Sequence, residues 1–586
     1  MPFQGIDKLR LNRAINAIAK CTVNLCRIYQ GKLMRNPVIA IGLDAGDPNL
    51  LEKWMAQGHL KNLKSLRDRG AYGRLKTFDY YRAETPWTTF LTGASPEKTG
   101  YWAPVKLREG SYDVDAIEAY NFAEYQPFYA LGDDYRAAIF DMPQAPLSDR
   151  VNGVQGLAWG AHSPQTPTHS KPEAFLSDII AKHGEHPALH KDFASILDIP
   201  ALQELQKKLE TGIERRGQIC KDLLQQDNWD FFLTIFGETH SAGHYFWHLS
   251  QPDHPLYPLV GNRYPGDPLL EIFEAIDTAI GEILTAAPDN ANVVVFAAHG
   301  MDFNNMDLPS MVFLPEFLYR WNFPGKVGLA EGKMGQTPGG PLVGERAKRG
   351  FMGTLWSLKG DRNPLRGFLR RTLPTKIFSR IEPLFGSEPE PDLISPFEMQ
   401  KKGDRLFFQT PCWYQPAWPR MKAFALPSFS EGYIRINLKG REPNGIVDPS
   451  EYDAVCQEIT EKLYQLKDSR TGETMVQKVV RTRQTATDSD PKLPDADLVI
   501  IWQDKCASDT VESPEIGRIG PIPFNRTGSH RSDGFLALAG PDIQPGSTLP
   551  FGHSLDLAPT LLALLEAPIP TDCEGKPLIN QPAVVR

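Results

Sequence analysis

Cysteine, long apolar runs, a signal-peptide core and an excess of positive charge are scarce or absent in this sequence of 586 residues, and each absence argues against a class of protein. Cysteine occurs only seven times, at scattered positions without a CxxC pair, which argues against a disulfide framework and a zinc ribbon and favours a reducing compartment. No apolar run approaches the roughly 20 residues of a transmembrane helix, and no signal-peptide core is visible. The formal net charge is -8, so nucleic acid is not the expected partner. We expect a cytoplasmic protein.

The segment 1–36 is basic and amphipathic. It carries seven Lys or Arg residues up to Arg35, against the single acid Asp7, among spaced Leu and Ile residues. One interpretation is a helix lying on an anionic membrane surface. The other is a solvated helix docked on the body of the protein.

Apolar runs alternate with amphipathic helices through most of the chain. The predicted strands are 37–43, 229–236, 293–296, 432–438, 497–502 and 535–539, and the predicted helices are 203–226, 269–286 and 449–466. Unbroken apolar strands between helices are typical of a largely parallel sheet that is covered on both faces. The sequence therefore predicts an α/β protein with one elaborated core, in two parts at 37–328 and 404–586.

Residues 329–403 differ from the core in amino-acid composition, which indicates an insertion. This segment is rich in Gly, Pro, Lys and Arg, with apolar residues set among the bases. It is interpreted either as a cap that attracts an anionic substrate or a lipid surface, or as a solvated excursion.

Polar side chains stand at the ends of the predicted strands. Asp44 follows the first strand, His240 and His244 follow the second, His299 follows the third, and His530 lies just ahead of the last. On a helix, His240 and His244 would project from one face and hold one metal ion. Open α/β sheets bind ligands at the carboxyl ends of their strands, so we expect these groups to converge.

Several motifs in this order are similar to those of a known family. They are GLDAGDP at 42–48, PWTTFLTG at 86–93, ETHSAGH at 238–244, HGM at 299–301, IRINLKGREP at 434–443, GSHRSDG at 528–534 and DLAPT at 556–560. Together they resemble the type I phosphodiesterase/nucleotide pyrophosphatase branch of the alkaline phosphatase superfamily, from about Pro37 to Pro577. The resemblance implies an alkaline phosphatase-like three-layer α/β/α core with a mostly parallel sheet and an inserted cap-like segment.

The resemblance also implies a metal centre. In this family two divalent metals, usually zinc, flank a Thr or Ser nucleophile. For this chain we expect one or two divalent metals, zinc first and manganese as the alternative. His244 and His530 match ligands of one metal, while Asp44 and His299 match ligands of the other. His240 stands where the family has an Asp, an exchange that zinc accepts.

Two positions depart from the family pattern. Ala298 replaces the Asp that precedes the histidine of the second site, and the nucleophile position falls on Ala83 or Glu84, depending on where the count starts. Thr85 is the candidate nucleophile, since it precedes Pro86 at a predicted helix start, where backbone N–H groups attract phosphate; alternatively it only caps that helix. Glu84 is a candidate substitute metal ligand. Glu238 is a candidate to orient a ligand histidine.

The expected function is metal-dependent hydrolysis of a small anionic ester, as a phosphodiesterase or nucleotide pyrophosphatase. A sulfatase is disfavoured, because residues 84–88 read ETPWT and lack the Cys or Ser that becomes formylglycine. The alternative from another class is a non-catalytic metal-binding or scaffolding descendant, which Ala83 and Ala298 favour. Against it stand five retained Asp and His residues, because buried polar groups need partners.

Overall fold

The described parts of the chain cover most of the predicted core. The computed structural model describes residues 35–117, 124–160, 166–189, 198–329, 350–361, 363–386, 392–504 and 507–579. The predicted amphipathic segment 1–36 falls outside the described residues except for its last two positions, and so does 330–349 of the predicted insertion.

The strands are mostly short. In chain order they are β1 Val38–Leu43, β2 Ala71–Lys76, β3 Val105–Leu107, β4 Val114–Ala116, β5 Arg136–Phe140, β6 Asn152–Leu157, β7 His169–Lys171, β8 Phe231–Phe236, β9 Asn292–Ala297, β10 Gly300–Phe303, β11 Ala423–Ala425, β12 Gly432–Ile436, β13 Lys467–Asp468, β14 Val476–Arg481, β15 Leu498–Trp502, β16 Val511–Ser513, β17 Gly517–Ile519, β18 Gly528–Arg531, β19 Asp533–Ala539, β20 Ser547–Thr548 and β21 Gly552–His553.

The helices fall mainly between the strands of the large sheet and in the segment that follows it. They are α1 Pro48–Gln57, α2 Lys61–Arg69, α3 Pro86–Thr92, α4 Pro96–Thr99, α5 Phe175–His183, α6 Ile199–Gln226, α7 Glu238–Ser250, α8 Tyr257–Val260, α9 Pro268–Ala286, α10 Leu314–Asn322, α11 Gly350–Ser357, α12 Pro364–Thr372, α13 Thr375–Ile381, α14 Pro396–Lys401, α15 Thr410–Trp413, α16 Tyr452–Leu463 and α17 Leu557–Leu564. Short 3-10 turns lie at Gly261–Arg263, Glu382–Phe385, Trp418–Arg420, Pro449–Glu451 and Ser554–Asp556, and a π turn at Pro309–Phe313 precedes α10.

One large sheet organises the molecule. Its strand order is β20-β2-β19-β9-β1-β8-β5-β6-β7, with β21 also paired to β2. The central strands β9, β1, β8, β5 and β6 are parallel. β19 runs antiparallel to both of its neighbours, and β7 runs antiparallel to β6. The predicted mostly parallel sheet is confirmed.

The two faces of this sheet are covered by different helices. Along β1, Ile39 and Ile41 belong to the same apolar cluster as Ile276 of α9. Val38 and Ala40 alternate with them and belong to a second cluster, which contains side chains of α3 and α17. This alternation follows the period of two in a strand. Because both faces are buried, β1 is an unbroken apolar run, and the predicted three-layer α/β/α core is confirmed.

Smaller sheets extend the core. β11, β12, β15 and β14 form an antiparallel sheet, and β13, β16 and β17 form another. The predicted strands at 432–438 and 497–502 therefore lie outside the large sheet, as β12 and β15. The two-stranded pairs are β3 with β4 and β10 with β18. In this second pair, β10 follows the last residue of β9 and β18 precedes the first residue of β19.

The described cysteines, Cys220, Cys412, Cys456 and Cys573, are free thiols. Within the described ranges, no helix combines the length and the apolar character needed to cross a bilayer.

Candidate active site

Helix α7 carries two histidines at the carboxyl end of β8. Gly237 is its N-cap residue, so the chain passes directly from strand to helix. His240 and His244 are one turn apart and project from one face. Their Nε2 atoms are 3.1 Å apart, and both side chains are buried.

His530 joins this pair from β18. That strand pairs with β10 so that His530 lies opposite Met301. The Nε2 atom of His530 is 3.2 Å from that of His240, and the ligand atoms of the three histidines all lie within 4.8 Å of one another. Nitrogens bound to one zinc at 2.0–2.1 Å in a tetrahedron stand about 3.3 Å apart. The separations of the three histidines therefore fit a metal ion.

The protonation of these rings suits a metal. The Nδ1 atom of His244 is 2.6 Å from the carbonyl oxygen of Gly528. A carbonyl only accepts, so Nδ1 carries the hydrogen and Nε2 presents its lone pair toward the cluster. Burial, together with the neighbouring His240 and His299, holds the pKa of His530 well below its usual range. Neutral imidazole is the form that binds a metal.

Arg526 lies at the edge of the histidine cluster and was not found by the sequence reasoning. Its Nη1 donates to Nε2 of His244 at 2.9 Å. Its Nε and Nη2 donate to the two oxygens of Asp307 at 2.6 and 3.0 Å, in a two-pronged ion pair. An isolated arginine in a loop has no periodic pattern, so only the fold shows that this cation faces the site.

Asp44 and His299 form a second group beside the first. They follow the carboxyl ends of β1 and β9, which are parallel neighbours in the sheet. Oδ1 of Asp44 is 3.6 Å from Nε2 of His299. Oδ2 of Asp44 is buried and has no hydrogen-bond partner among the described residues. A buried carboxylate oxygen requires a partner, and a divalent cation fits that requirement.

Trp87 and Ala298 limit the number of ligand atoms that this second group can give to a metal ion. The indole Nε1 of Trp87 donates to Oδ1 of Asp44 at 2.8 Å, so one carboxylate oxygen is already engaged. Ala298 lies in the apolar cluster that contains Trp87. The two groups are nonetheless adjacent, since the rings of His299 and His530 are 4.9 Å apart. The predicted convergence of the strand-end residues is confirmed.

Thr85 is the N-cap residue of α3, which begins at Pro86 as predicted. Its hydroxyl makes no capping bond and instead donates to the carbonyl oxygen of Tyr81 at 2.8 Å. The side chain is buried. As a nucleophile, Thr85 would have to release this hydrogen bond, and its catalytic role stays a prediction.

Glu84 lies in a carboxyl network beside α3. Its Oε2 is 2.5 Å from the hydroxyl of Ser430, which is 2.6 Å from a carboxyl oxygen of Glu431. One hydroxyl hydrogen serves only one acceptor, so one of the two carboxyls is protonated. Burial and then Glu431 raise the pKa of Glu84 to about 7, in keeping with this. No described contact joins Glu84 to Asp44 or His299, and its role as a metal ligand stays a prediction.

Glu238 does not orient a ligand histidine, so that hypothesis is wrong. Its carboxylate accepts from Nε of Arg216 at 3.0 Å and faces Nε2 of His186 at 3.0 Å. Arg216 also donates to Asp141 at 2.7 Å, and all four side chains are buried. This quartet anchors the first residue of α7 to α6 and to the end of β5.

Comparison with known proteins agrees with the geometry. Residues 38–321 match the family described as Type I phosphodiesterase / nucleotide pyrophosphatase. The predicted resemblance to this family is confirmed over these residues. The match contains β1, α3, α7 and β9, and hence the candidate site residues except Arg526 and His530. The match indicates a hydrolase of the phosphodiesterase or pyrophosphatase type.

Solved structures also show similarity to this chain. Phosphonoacetate hydrolase from Sinorhizobium meliloti 1021 in complex with phosphonoformate is 12% identical, with a TM-score of 0.44, over 91% of this chain and 96% of that one. The same enzyme in complex with phosphonoacetate is 11% identical, with a TM-score of 0.43 and the same coverage. No curated protein sequence matches this chain closely enough to count as a relative.

Proposed function

We propose that this protein is a metal-dependent phosphoric ester hydrolase that cleaves phosphodiesters. The observation that supports it best is the buried cluster of His240, His244 and His530, whose Nε2 atoms face one another at metal-binding separations. The match of residues 38–321 to a phosphodiesterase family supplies the reaction class.

The residues present fit one strong metal site and one weaker site. His240, His244 and His530 would hold the first ion with three nitrogens, a set typical of catalytic zinc. Asp44 and His299 would hold a second with one oxygen and one nitrogen. A bound divalent ion supplies positive charge that stabilises oxygen anions on phosphorus and polarises the attacking group. Zinc suits the histidine-rich site, and manganese is the alternative at the oxygen-bearing one.

Arg526 is the residue that we assign to the substrate anion. Its guanidinium is held by Asp307 and faces the histidine cluster through Nη1. When His244 gives its lone pair to a metal, that N–H becomes available to an anionic oxygen of the ester. Arginine suits phosphate oxygens because its donors form a planar fork. Thr85, at the N-terminus of α3, is the proposed nucleophile.

Metal content and hydrolysis together test this function. Protein expressed with sufficient metal should carry about one transition metal per chain. It should hydrolyse a generic aryl phosphodiester, lose that activity to a chelator, and recover it with zinc or manganese. His530→Ala should lower both metal content and activity. Less than about 0.2 metal per chain would contradict the metal model.

His248 offers a matched control on the same helix. It follows His244 by four residues and is equally buried, but its Nδ1 lies 3.1 Å from the hydroxyl of Thr527. His248→Gln should therefore keep the metal content near one per chain. Equal loss of metal in His248→Gln and His530→Ala would show that disruption of the core, and not loss of a ligand, empties the site.

A binding protein without catalysis is the second candidate. Ala298, the engaged Oδ1 of Asp44 and the back-bonded hydroxyl of Thr85 favour it, because each removes part of the second metal site or of the nucleophile. Full metal content without turnover of phosphodiesters, phosphate monoesters or an aryl sulfate would favour this candidate. Turnover of the sulfate alone would instead show a sulfatase.

A further inference from the structure

In one segment of the protein, large apolar side chains are exposed and arginines are buried, the reverse of the usual arrangement. The segment comprises α11, α12, α13 and the turn Glu382–Phe385. Large apolar residues face outward: Leu365 is 58% exposed, Phe368 61%, Ile377 50% and Leu384 83%. These are four of the most exposed large apolar residues in the described chain, and they fall within about 20 residues of one another. Clustered apolar exposure of this kind marks an interaction surface.

Arginines occupy the inner side of the same segment. Arg366 and Arg370 are buried, and each lies 2.7 to 2.8 Å from the carboxylate of Asp361. The guanidinium of Arg370 also packs on the rings of Trp356 and Phe378, at 5.7 and 5.3 Å from the ring centroids. These contacts hold α11, α12 and α13 together by their inner sides, so the apolar residues of α12 cannot turn inward without breaking buried ion pairs.

The segment is strongly basic although the whole chain is acidic. Residues 350–386 contain seven Lys or Arg and two Asp or Glu, a net charge of seven minus two, +5, in a chain of net charge -8. Asp361 is paired with the inner arginines, and Glu382 lies 3.3 Å from Arg370. Arg371 and Arg380 are exposed on the same helices as the outward apolar residues.

We infer that the surface formed by Leu365, Phe368, Ile377 and Leu384, with Arg371 and Arg380, docks on an anionic lipid membrane. Apolar side chains would enter the interface while the arginines contact lipid phosphates. Charge argues against a second copy of this chain as the occupant, because two surfaces of the same positive sign would repel one another. The inference is independent of the proposed catalytic function.

Vesicle sedimentation with the full-length protein tests the inference. The protein should bind vesicles of phosphatidylcholine containing phosphatidylglycerol and not vesicles of phosphatidylcholine alone. Phe368→Ser should weaken binding about tenfold or more, since it removes a large apolar side chain that would be buried in the membrane interface. Arg371→Gln and Arg380→Gln should each weaken it about fivefold. High salt should weaken the binding of the wild-type protein.

Phe551→Ser is the matched control, because Phe551 is 69% exposed but lies outside this segment. This variant should bind the vesicles as the wild type does, and all variants should keep the thermal unfolding midpoint and the hydrolysis of a soluble aryl phosphodiester. Absence of binding to anionic vesicles, or equal loss in Phe551→Ser and Phe368→Ser, would overturn the inference. So would a dimer in solution that Phe368→Ser dissociates, which would make the surface a contact between copies.

Discussion

Individual histidines of helix α7 differ in what their nitrogens meet. His244 places Nε2 beside other histidine nitrogens, whereas His248, four residues on, faces the hydroxyl of Thr527. Burial lowers the pKa of His248 to about 3, so this ring is neutral as well. Neutrality is therefore shared, and the convergence of lone pairs distinguishes the candidate ligands from an ordinary core histidine.

Thr85 gives the most direct test at the scale of a residue. If its hydroxyl attacks phosphorus, Thr85→Ala should lower kcat by about a thousandfold or more. Thr85→Ser, which keeps the hydroxyl, should stay within about tenfold of the wild type. A loss below about tenfold in Thr85→Ala would mean that water is the nucleophile and that Thr85 only shapes the start of α3.

Ala298, which stands where the family has an Asp, should weaken metal binding at the group around Asp44 and His299. Titration of chelated protein with zinc or manganese should show two unequal phases, because the group around Asp44 and His299 has fewer ligands than the histidine cluster. Ala298→Asp should tighten the weaker phase at least about tenfold, since even residues outside the first coordination sphere change metal affinity by 10–100-fold.

Ala298→Asn is the control for that titration, because it has nearly the shape of Asp without the charge. It should leave the weaker phase unchanged. Two equivalent metals in the wild type would show that another carboxylate, such as Glu84, replaces the missing one. A single bound metal with full activity would show that the protein does not use two metals.

At the scale of an element, α7 depends on a buried ion-pair network. Burial alone would raise the pKa of Glu238, but Arg216 and His186 outweigh it and hold this pKa at about 2. Glu238→Gln removes the charge and leaves Arg216 with Asp141 alone. The free energy of unfolding at neutral pH should fall by about 3 kcal/mol, as expected when one member of a buried ion pair is lost.

Denaturation of metal-free protein measures this change without interference from ligand binding. Glu274→Gln is the control, because Glu274 pairs with His59 at the surface, where both side chains are about two-fifths exposed. That change should cost at most about 1 kcal/mol. Equal losses in the two variants would show that the network around Glu238 contributes no more than a surface pair.

At the scale of the whole molecule, the site unites residues from Asp44 to His530. The large sheet makes this possible, since β1, β8 and β9 are parallel neighbours and present Asp44, His240 and His299 beyond the same edge. β19 is antiparallel to β9, so its first residues lie where its neighbours end. His530 therefore reaches the same edge from a position ahead of its strand.

The sequence alone predicted the class of fold, four strands of the large sheet (β1, β8, β9 and β19) and the resemblance to a family. Buried parallel strands require unbroken apolar runs, and amphipathic helices repeat every 3.6 residues, so both leave local patterns. The histidines could also be predicted, because His240 and His244 share a helical spacing and His299 and His530 lie in motifs.

Only the tertiary structure decided which partners the other polar residues have. Glu238 lies two residues from His240, yet its carboxylate faces Arg216 of α6. Glu84 adjoins Thr85 but meets Ser430, and Arg526 reaches His244 across a long separation in sequence. Such contacts depend on where distant segments meet and on which way a side chain turns. Neither leaves a periodic trace in the sequence, whereas burial and backbone periodicity do.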